Sequence, residues 1–272
     1  MKRFALKIAY LGTGFHGFQR QPGLRTVEGE LIKAMKKSDV IMDTKTSEFA
    51  IAGRTDRGVH ALGNVVAFNT SNKFKINHMN SFLPDDIRII AFSSVSKDFN
   101  PRFARQRHYR YITPLNYGVD LNLMKKASPI FEGTHNFQQF SKKSERNPIR
   151  KINTLKISSN NNFLVIDVYG ESFLWKMVRK IVAVLLMIGK NQLNLLELNK
   201  LFDPSLKGSR INIQPMPPQG LILMDVEYSN LDFQYDDYAR EKFFNFLDQK
   251  YLYHYSLVLA EKNMMNHLND SD

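Results

Sequence analysis

FAIAGRTDRGVHALGNVVAF, residues 49–68, is the stretch that decides the fold of this chain. Apolar and β-branched residues at both ends predict two strands, and glycines bracket the segment GRTDRGVHA at 53–61 between them. That loop places one carboxylate, Asp56, between the guanidinium groups of Arg54 and Arg57. An acid in this position either neutralises the arginines or performs chemistry, and the loop alone leaves both interpretations open.

The elements around this loop follow the order β-α-β-β-α-β. Periodicity predicts, in chain order, a strand at 4–11, a helix at 26–37, strands at 48–54 and 63–70, a helix at 76–83 and a strand at 87–95. The second half repeats the order, with a strand at 109–113, a helix at 119–127, a hairpin at 152–158 and 163–169, helices at 172–188 and 194–202, and a strand at 221–228.

This repeat predicts an α+β fold made of two ferredoxin-like halves, residues 1–105 and 106–230. The two halves are expected to form a continuous antiparallel sheet with helices on one face. The aromatic-rich remainder, residues 231–272, is predicted to be a helical C-terminal extension, with a pair of helices packed on the body.

The charge of the chain is strongly basic and unevenly distributed. The net charge is +12 over 272 residues, and residues 231–272 hold eight acids and four bases, so the first 230 residues carry about +16. A body this basic usually binds a polyanion, most often nucleic acid, although a soluble basic protein with no such partner remains an alternative.

Cysteine is missing from the sequence, which excludes disulfides, thiolate zinc sites and a cysteine nucleophile. The seven histidines form no metal-binding spacing such as HExxH, so no metal is expected. The first residues do not resemble a signal peptide, and the longest apolar run, 181–188, is far too short to cross a bilayer. We therefore expect a cytoplasmic protein with no membrane association.

The glycines at positions 12, 14 and 17 match G-x-G-x-x-G directly after a predicted strand. A dinucleotide-binding turn requires a helix to begin inside that segment, whereas the helix signal here begins only at Thr26, after Pro22 and Gly23. The segment is better interpreted as an RNA-contacting loop that carries Phe15, Phe18, Gln19, Arg20 and Gln21.

Basic and aromatic residues alternate near the start of the second half. In a strand, Tyr109 and Tyr111 face one side, while His108 and Arg110 face the other. Such a pattern suits an unpaired nucleotide, with arginines on phosphates and a ring for stacking, although tyrosine in a strand is often simply core. In the apolar helix predicted at 172–188, a buried Arg179 would need a carboxylate partner, for which Asp56 is a candidate.

Several ordered segments together resemble the TruA family of tRNA pseudouridine synthases. They are IAYLGTGFHGFQRQP at 8–22, GRTDRGVHA at 53–61, LPDDI at 83–87, PRFARQRHYRY at 101–111, GTHNFQQFSK at 133–142, FLWKMVRKIV at 173–182 and the Gly220-Leu221 pair. The resemblance covers roughly residues 5–228 and is strongest to archaeal members. It implies two ferredoxin-like halves, a homodimer, no cofactor, and conversion of uridines at positions 38–40 of the tRNA anticodon arm.

The resemblance also implies roles for individual residues. Asp56 falls on the catalytic aspartate, and the positions that bind the target nucleotide correspond to Arg54, Tyr109, Arg179 and Leu221. The sequence departs from the common pattern at Arg57, where many members have alanine, and at His108, where arginine is common. Further RNA contacts are predicted for Arg57, Arg105, Arg107, Arg110, Lys142, Lys143, Arg150 and Lys176.

Three other functions are weighed against this one. An RNA-binding module without catalysis would use the same basic surface and would tolerate loss of Asp56. A methyltransferase is disfavoured because the chain lacks both cysteine and an intact dinucleotide-type glycine turn. A metal-dependent nuclease would require clustered acids, whereas Asp56 stands between arginines.

Overall fold

The computed structural model describes residues 1–115, 118–141, 147–203, 205 and 212–269. The first half contains β1 (Lys2–Tyr10), α1 (Val27–Lys37), β2 (Ala50–Ile51), β3 (His60–Thr70), α2 (Ile76–Asn80) and β4 (Ile87–Val95). The second half contains β5 (Gln106–Pro114), α3 (Leu121–Ala127), β6 (Gly133–Asn136), β7 (Ile149–Asn160), β8 (Phe163–Gly170), α4 (Met177–Gly189), α5 (Leu195–Lys200) and β9 (Leu221–Glu227). The chain then continues into β10 (Gln234–Tyr235) and α6 (Asp237–Asn269).

Within the described residues, all of these strands join one ten-stranded sheet in the order β10-β4-β1-β3-β9-β5-β8-β7-β6, with β2 paired to β3. Each half has the strand order of a ferredoxin-like unit, β4-β1-β3-β2 in the first and β9-β5-β8-β7 in the second. The predicted α+β fold with a large, mostly antiparallel sheet is therefore confirmed. The boundaries drawn at residues 105 and 230 stay a prediction.

The two halves meet through a parallel strand pair, so the sheet is not antiparallel throughout. His60 of β3 pairs with Ile222 of β9, and Ala61 pairs with Leu223. On its other edge β9 runs antiparallel to β5, where Tyr111 pairs with Leu221. The junction thus brings the end of the 53–61 loop next to the start of β9 and the middle of β5.

Three predicted elements are clearly shorter than their sequence patterns suggested, and one of them is the helix expected at 76–83, which ends at Asn80. The strand expected at 48–54 contains only Ala50–Ile51, because the chain turns away from β3 to form the loop that carries Asp56. The helix expected from residue 172 begins at Met177, and Lys176 just before it has left-handed backbone angles, φ 64° and ψ 5°. Residues 171–176 therefore form a separate connecting segment.

The C-terminal extension is helical, as predicted, but it is a single helix. The predicted pair of helices packed on the body is wrong, because α6 runs for 33 residues without a glycine or proline to break it. Only Ala239 and Phe243 of α6 are buried, and its main contacts with the body are to β4 and α2. Among the described residues, no helix is long and apolar enough to cross a membrane.

Candidate active site

A cavity of about 1260 Å³ lies beside the junction of β3 and β9. The 53–61 loop lines it from the first half, and β5, the 173–179 segment and the start of β9 line it from the second. The residues that sequence reasoning assigned to the target nucleotide all line this one cavity: Arg54, Asp56, Tyr109, Arg179 and Leu221. Four elements that are distant in sequence thus contribute to a single site.

Asp56 has both of its carboxylate oxygens hydrogen-bonded. Arg179 Nη1 lies 2.9 Å from Oδ2, and the indole Nε1–H of Trp175 donates to Oδ1 at 2.7 Å. The predicted pairing of Asp56 with Arg179 is therefore present. Sequence reasoning missed Trp175, although its position in FLWKMVRKIV and its being the one tryptophan of the chain were available signals.

Arg179 is held firmly in α4. Its relative exposure is 8%, and its Nε–H donates to the backbone carbonyl of Met216, whose own N–H returns a 3.2 Å hydrogen bond to the Arg179 carbonyl. Burial of a guanidinium is tolerated when an anion and further acceptors bind its N–H groups. Here Asp56 is the anion and the Met216 carbonyl is the further acceptor. The α4 helix therefore presents a fixed cation to the carboxylate.

The loop that carries Asp56 is anchored to β1 and β3 by buried polar side chains. The hydroxyls of Tyr10 and Thr55 lie 2.8 Å apart, and Asn64 Nδ2 donates to the Tyr10 hydroxyl and to the Gly53 carbonyl. Hydrogen bonds inside a low-dielectric environment are strong, so this network holds the loop in one conformation.

The glycine segment before α1 supports the same loop. The N–H of Phe18 donates to the carbonyl of Thr55 at 3.0 Å. Gly17 has φ +90°, and a Cβ there would lie 3.1 Å from that carbonyl, so glycine is required by both conformation and space. Since α1 begins only at Val27, the segment lacks the helix of a dinucleotide-binding turn, as predicted.

The aromatic residues of this segment are not exposed as an RNA-binding surface would require. Phe15 and Phe18 are buried and pack on Tyr10, so the prediction of an aromatic RNA-contacting loop is wrong for these two rings. Gln19 and Gln21 do line the cavity. The spacing of phenylalanines alone did not distinguish core packing from an exposed stacking platform.

His60 links the two halves at their junction. Its Nδ1 accepts a 3.0 Å hydrogen bond from the N–H of Gly12, so its Nε2 carries the proton and donates to the Gln219 carbonyl at 3.1 Å. Burial lowers the pKa of His60, which favours this neutral form. The ring therefore joins the glycine segment to the turn that precedes Leu221.

Tyr109 and Leu221 form the apolar wall of the cavity. Tyr109 is buried and packs edge to face on Phe173, with the ring centroids 5.1 Å apart. Burial raises the pKa of Tyr109 to about 12, and the nearby Asp56 charge adds to this while Arg107 opposes it. The phenol is therefore neutral at physiological pH and can donate a hydrogen bond. As predicted, Tyr111 shares this buried side of β5.

Besides Arg179, four cations with a predicted role line the cavity or its mouth, one predicted to bind the target nucleotide and three predicted to contact RNA. They are Arg54, Arg57, Arg150 and Lys176, of which the first two are exposed. The expectation that Arg54 lies next to Asp56 as a charge partner stays a prediction, since the ion pair that the structure describes for Asp56 is with Arg179. Their contact with RNA also stays a prediction.

Three further predicted RNA contacts are engaged within the protein. Arg105 pairs with Glu227 at 2.6 Å, and Arg110 donates two hydrogen bonds to Asp167 on the side of β5 away from Tyr109. The guanidinium of Arg107 is buried and donates to the backbone carbonyls of Ala52, Arg102 and Glu171. These bonds favour a structural role for Arg107. Lys142 and Lys143 lie outside the described residues.

Comparison with known proteins agrees with this geometry. A family model described as tRNA pseudouridine synthase matches residues 127–229. The tRNA pseudouridine synthase A of Methanothermobacter thermautotrophicus is 44% identical over 271 residues, covering 99% of this chain and 98% of that protein. The protein of the same name from Pyrococcus abyssi is 40% identical over 252 residues, covering 92% of this chain and 93% of that protein.

Likeness to solved structures is weak by comparison. A chain of a Cbf5-Nop10-Gar1 complex matches with a TM-score of 0.37 and 13% identity, over 67% of this chain and 45% of that chain, which is too low to support a conclusion. The two archaeal proteins are 44% and 40% identical to this chain over nearly its whole length, and this alone shows the family. The chain belongs to the TruA family of tRNA pseudouridine synthases, which are isomerases.

Proposed function

We propose that this protein isomerises uridine to pseudouridine at positions 38–40 in the anticodon stem-loop of tRNA. The observation that carries the proposal is the carboxylate of Asp56, paired with the buried Arg179 at the wall of a cavity lined by exposed arginines. Arg54, Arg57 and the other cations of the cavity attract the phosphate backbone, while one anion is placed where chemistry can occur.

The proposed reaction needs an ionised carboxylate and no external reagent. It breaks the N1–C1′ bond of uridine, rotates the uracil and joins C5 to C1′; C5 then loses a proton and N1 gains one, so the product is an isomer of the substrate. Bonds and electrons balance within the nucleotide, so we propose no cofactor. Asp56 either adds to C1′ or removes the C2′ proton, and the hydrogen bond from Arg179 holds the carboxylate in position in both cases.

The target uridine must leave the helical stack to reach Asp56, which costs a few kcal/mol. Packing on Tyr109 and Leu221 offsets part of this, since stacking of one base on a ring is worth roughly 1–3 kcal/mol. We propose that Arg54 either contacts a phosphate or fills the space that the flipped uridine leaves in the base stack, because Arg54 is exposed at the cavity. We assign Arg57, Arg150 and Lys176, which also line the cavity, to the flanking backbone.

The best direct experiment uses three tRNA transcripts, each with a single uridine among positions 38, 39 and 40. Purified protein should convert these uridines, as read by carbodiimide mapping, and tRNA from cells lacking the protein should lose pseudouridine at the same positions. A protein that binds these transcripts tightly and converts none of them is an RNA-binding module, the main alternative. Conversion elsewhere in tRNA would correct the assigned positions.

The hydroxyl of Tyr109 is expected to act as a neutral donor. A Tyr109→Phe variant should keep tRNA affinity, because the ring remains, and should lose on the order of 10²-fold in single-turnover rate, as for removal of one well-placed donor. Because its pKa is about 12, Tyr109 stays protonated between pH 7 and 9.5, so the wild-type rate should gain nothing from phenolate formation in that range.

The control for this prediction is Tyr169→Phe. Tyr169 stacks on His108, on the side of β5 away from Tyr109, so its hydroxyl is remote from the proposed chemistry. A wild-type rate that rises about tenfold per pH unit, and a Tyr109→Phe rate that does not, would instead identify a phenolate base.

We further propose that the protein is a homodimer joined through α6, and that it acts in the cytoplasm, where its tRNA substrate is found. Twelve large apolar side chains of α6 are exposed: Tyr238, Phe244, Tyr251, Leu252, Tyr253, Tyr255, Leu257, Val258, Leu259, Met264, Met265 and Leu268. An aromatic side chain has about 150–250 Å² of surface, so the exposed parts of these twelve side chains together have an area on the order of 1000 Å². A stable interface buries about 800 Å² per partner.

The pattern of α6 favours a helix of a second copy as the partner. Phe244, Tyr251, Val258 and Met265 recur at seven-residue intervals, which is the spacing of helices that pack side by side. Gln249, Ser256 and Asn263 lie on the opposite side of the helix. From Asp237 to Asn269 there are four acids and four bases, and this neutrality disfavours RNA as the partner.

A Val258→Glu variant should shift the protein from dimer to monomer in sedimentation velocity at micromolar concentration. A charge buried in an apolar interface is strongly unfavourable, whereas Ser256→Glu, on the opposite side of α6, should leave the dimer intact. A wild-type protein that sediments as a monomer contradicts the homodimer. A dimer that survives Val258→Glu contradicts α6 as its interface.

A further inference from the structure

Each carboxylate oxygen of Asp56 accepts one hydrogen bond in the RNA-free protein, and the side chain stays 24% exposed. Oδ2 accepts from Arg179 at 2.9 Å, and Oδ1 accepts from the Trp175 indole N–H at 2.7 Å. Addition to C1′ or removal of the C2′ proton requires one of these oxygens to approach the ribose. An oxygen that loses its donor becomes more basic and more nucleophilic, so displacement of one donor as the uridine enters would favour either step.

Arg179 and Trp175 differ in how firmly they are held. Arg179 lies inside α4, is 8% exposed, and has a second anchor at the Met216 carbonyl. Trp175 is 46% exposed and lies in the connecting segment between β8 and α4. Trp175 is therefore the donor that is more accessible to an incoming nucleotide.

The backbone next to Trp175 has the geometry of a hinge. Lys176 has φ 64°, a left-handed conformation that an L side chain rarely adopts, and its Nζ lies 4.4 Å from the centre of the Trp175 ring. Rotation of Lys176 into the right-handed region would extend α4 toward its N-terminus and swing the indole away from Asp56. Strained residues of this kind cluster at sites that switch between conformations.

We propose that Trp175 is a displaceable cap on the catalytic carboxylate: its N–H holds Oδ1 of Asp56 in the RNA-free enzyme, and the flipped uridine displaces it. The displaced ring then stacks on a nucleobase beside the target, as aromatic side chains do on unpaired nucleotides. The inference rests on the proposed synthase function, and it adds a residue that controls when Asp56 becomes available.

Intrinsic fluorescence tests this cap directly, because Trp175 is the one tryptophan in the chain. Binding of tRNA with uridine at 38–40 should change the intensity and wavelength of its emission. The same tRNA with cytidine at those positions should bind and leave the emission nearly unchanged, because no target is presented to Asp56. In an Asp56→Ala variant the indole loses its acceptor, so the RNA-free emission should already differ from that of the wild type.

Steady-state kinetics separate a cap from a positioning residue. Trp175→Phe keeps a ring but loses the N–H that competes with the substrate, so we expect kcat/KM to rise about 3- to 10-fold through a lower KM, in the range of the net contribution of one ordinary hydrogen bond. A fall in kcat for this variant would overturn the proposal, because it would show that the reaction requires the indole N–H.

One sample of wild-type protein and tRNA distinguishes failure of the Trp175 cap from failure of the synthase function. If wild-type protein forms pseudouridine while the emission of Trp175 does not change, the cap is wrong and the synthase function stands. If tRNA binds and no pseudouridine forms in any transcript, the synthase function is wrong, and the cap is wrong with it.

Discussion

Replacement of Asp56 by asparagine is expected to lower the rate of pseudouridine formation by on the order of 10⁴-fold, about 5.4 kcal/mol of barrier at 1.36 kcal/mol per tenfold. The amide has the shape of the carboxylate but neither its charge nor its basicity, so it serves neither of the two proposed mechanisms. Binding of tRNA should be kept or slightly strengthened, because the change removes an anion from a cationic cavity.

Two measurements decide this prediction. Release of tritium from C5 of labelled uridine reports turnover, and filter binding at one fixed salt concentration reports affinity. The matched control is Asp237→Asn, whose side chain is 95% exposed at the start of α6. A near wild-type rate for Asp56→Asn would assign the chemistry to another group. Loss of both binding and turnover would instead indicate that Asp56 mainly fastens the loop to Arg179.

An Arg179→Met variant is expected to have the second largest effect, a loss of roughly 10²–10³-fold in kcat, comparable to removal of a preorganised electrostatic group. Methionine fills a similar volume in α4, but it leaves Asp56 without its cation and the Met216 carbonyl without its side-chain donor. Loss of one partner of a buried ion pair destabilises a protein by about 3–5 kcal/mol, and we expect less here because Asp56 is partly hydrated.

The conservative variant separates charge from geometry. Arg179→Lys restores the cation but not the planar fork that reaches Asp56 and Met216 together, so it should recover only part of the lost rate. Arg25→Met is the control, since Arg25 also forms a two-point ion pair, with Asp86, outside the proposed machinery. Equal losses of kcat in the Arg25 and Arg179 variants would show that the effect is general destabilisation.

Local patterns were sufficient to predict much of the fold. Alternation in β1, the asparagine turn between β7 and β8, and the apolar periodicity of α4 are all determined by neighbouring residues, so their sequence signals are strong. The same reasoning missed the end of β2 and the start of α4, because both are set by where the Asp56 loop and the 171–176 segment must pass. It also predicted two helices where α6 is one, since the sequence shows apolar residues but not what covers them.

The sequence by itself determined the acid, the cations around it and the repeat that carries them, because residue type and local periodicity are written in the chain. Arg179 was a candidate partner of Asp56 in the sequence, and the tertiary structure shows the pair formed. Arg54 and Arg57 are its neighbours in sequence, but they point to solvent at the cavity, whereas Arg179 reaches it from α4. The reason is desolvation: burial in α4 leaves Arg179 in need of an anion, and the β3–β9 junction brings Asp56 within reach.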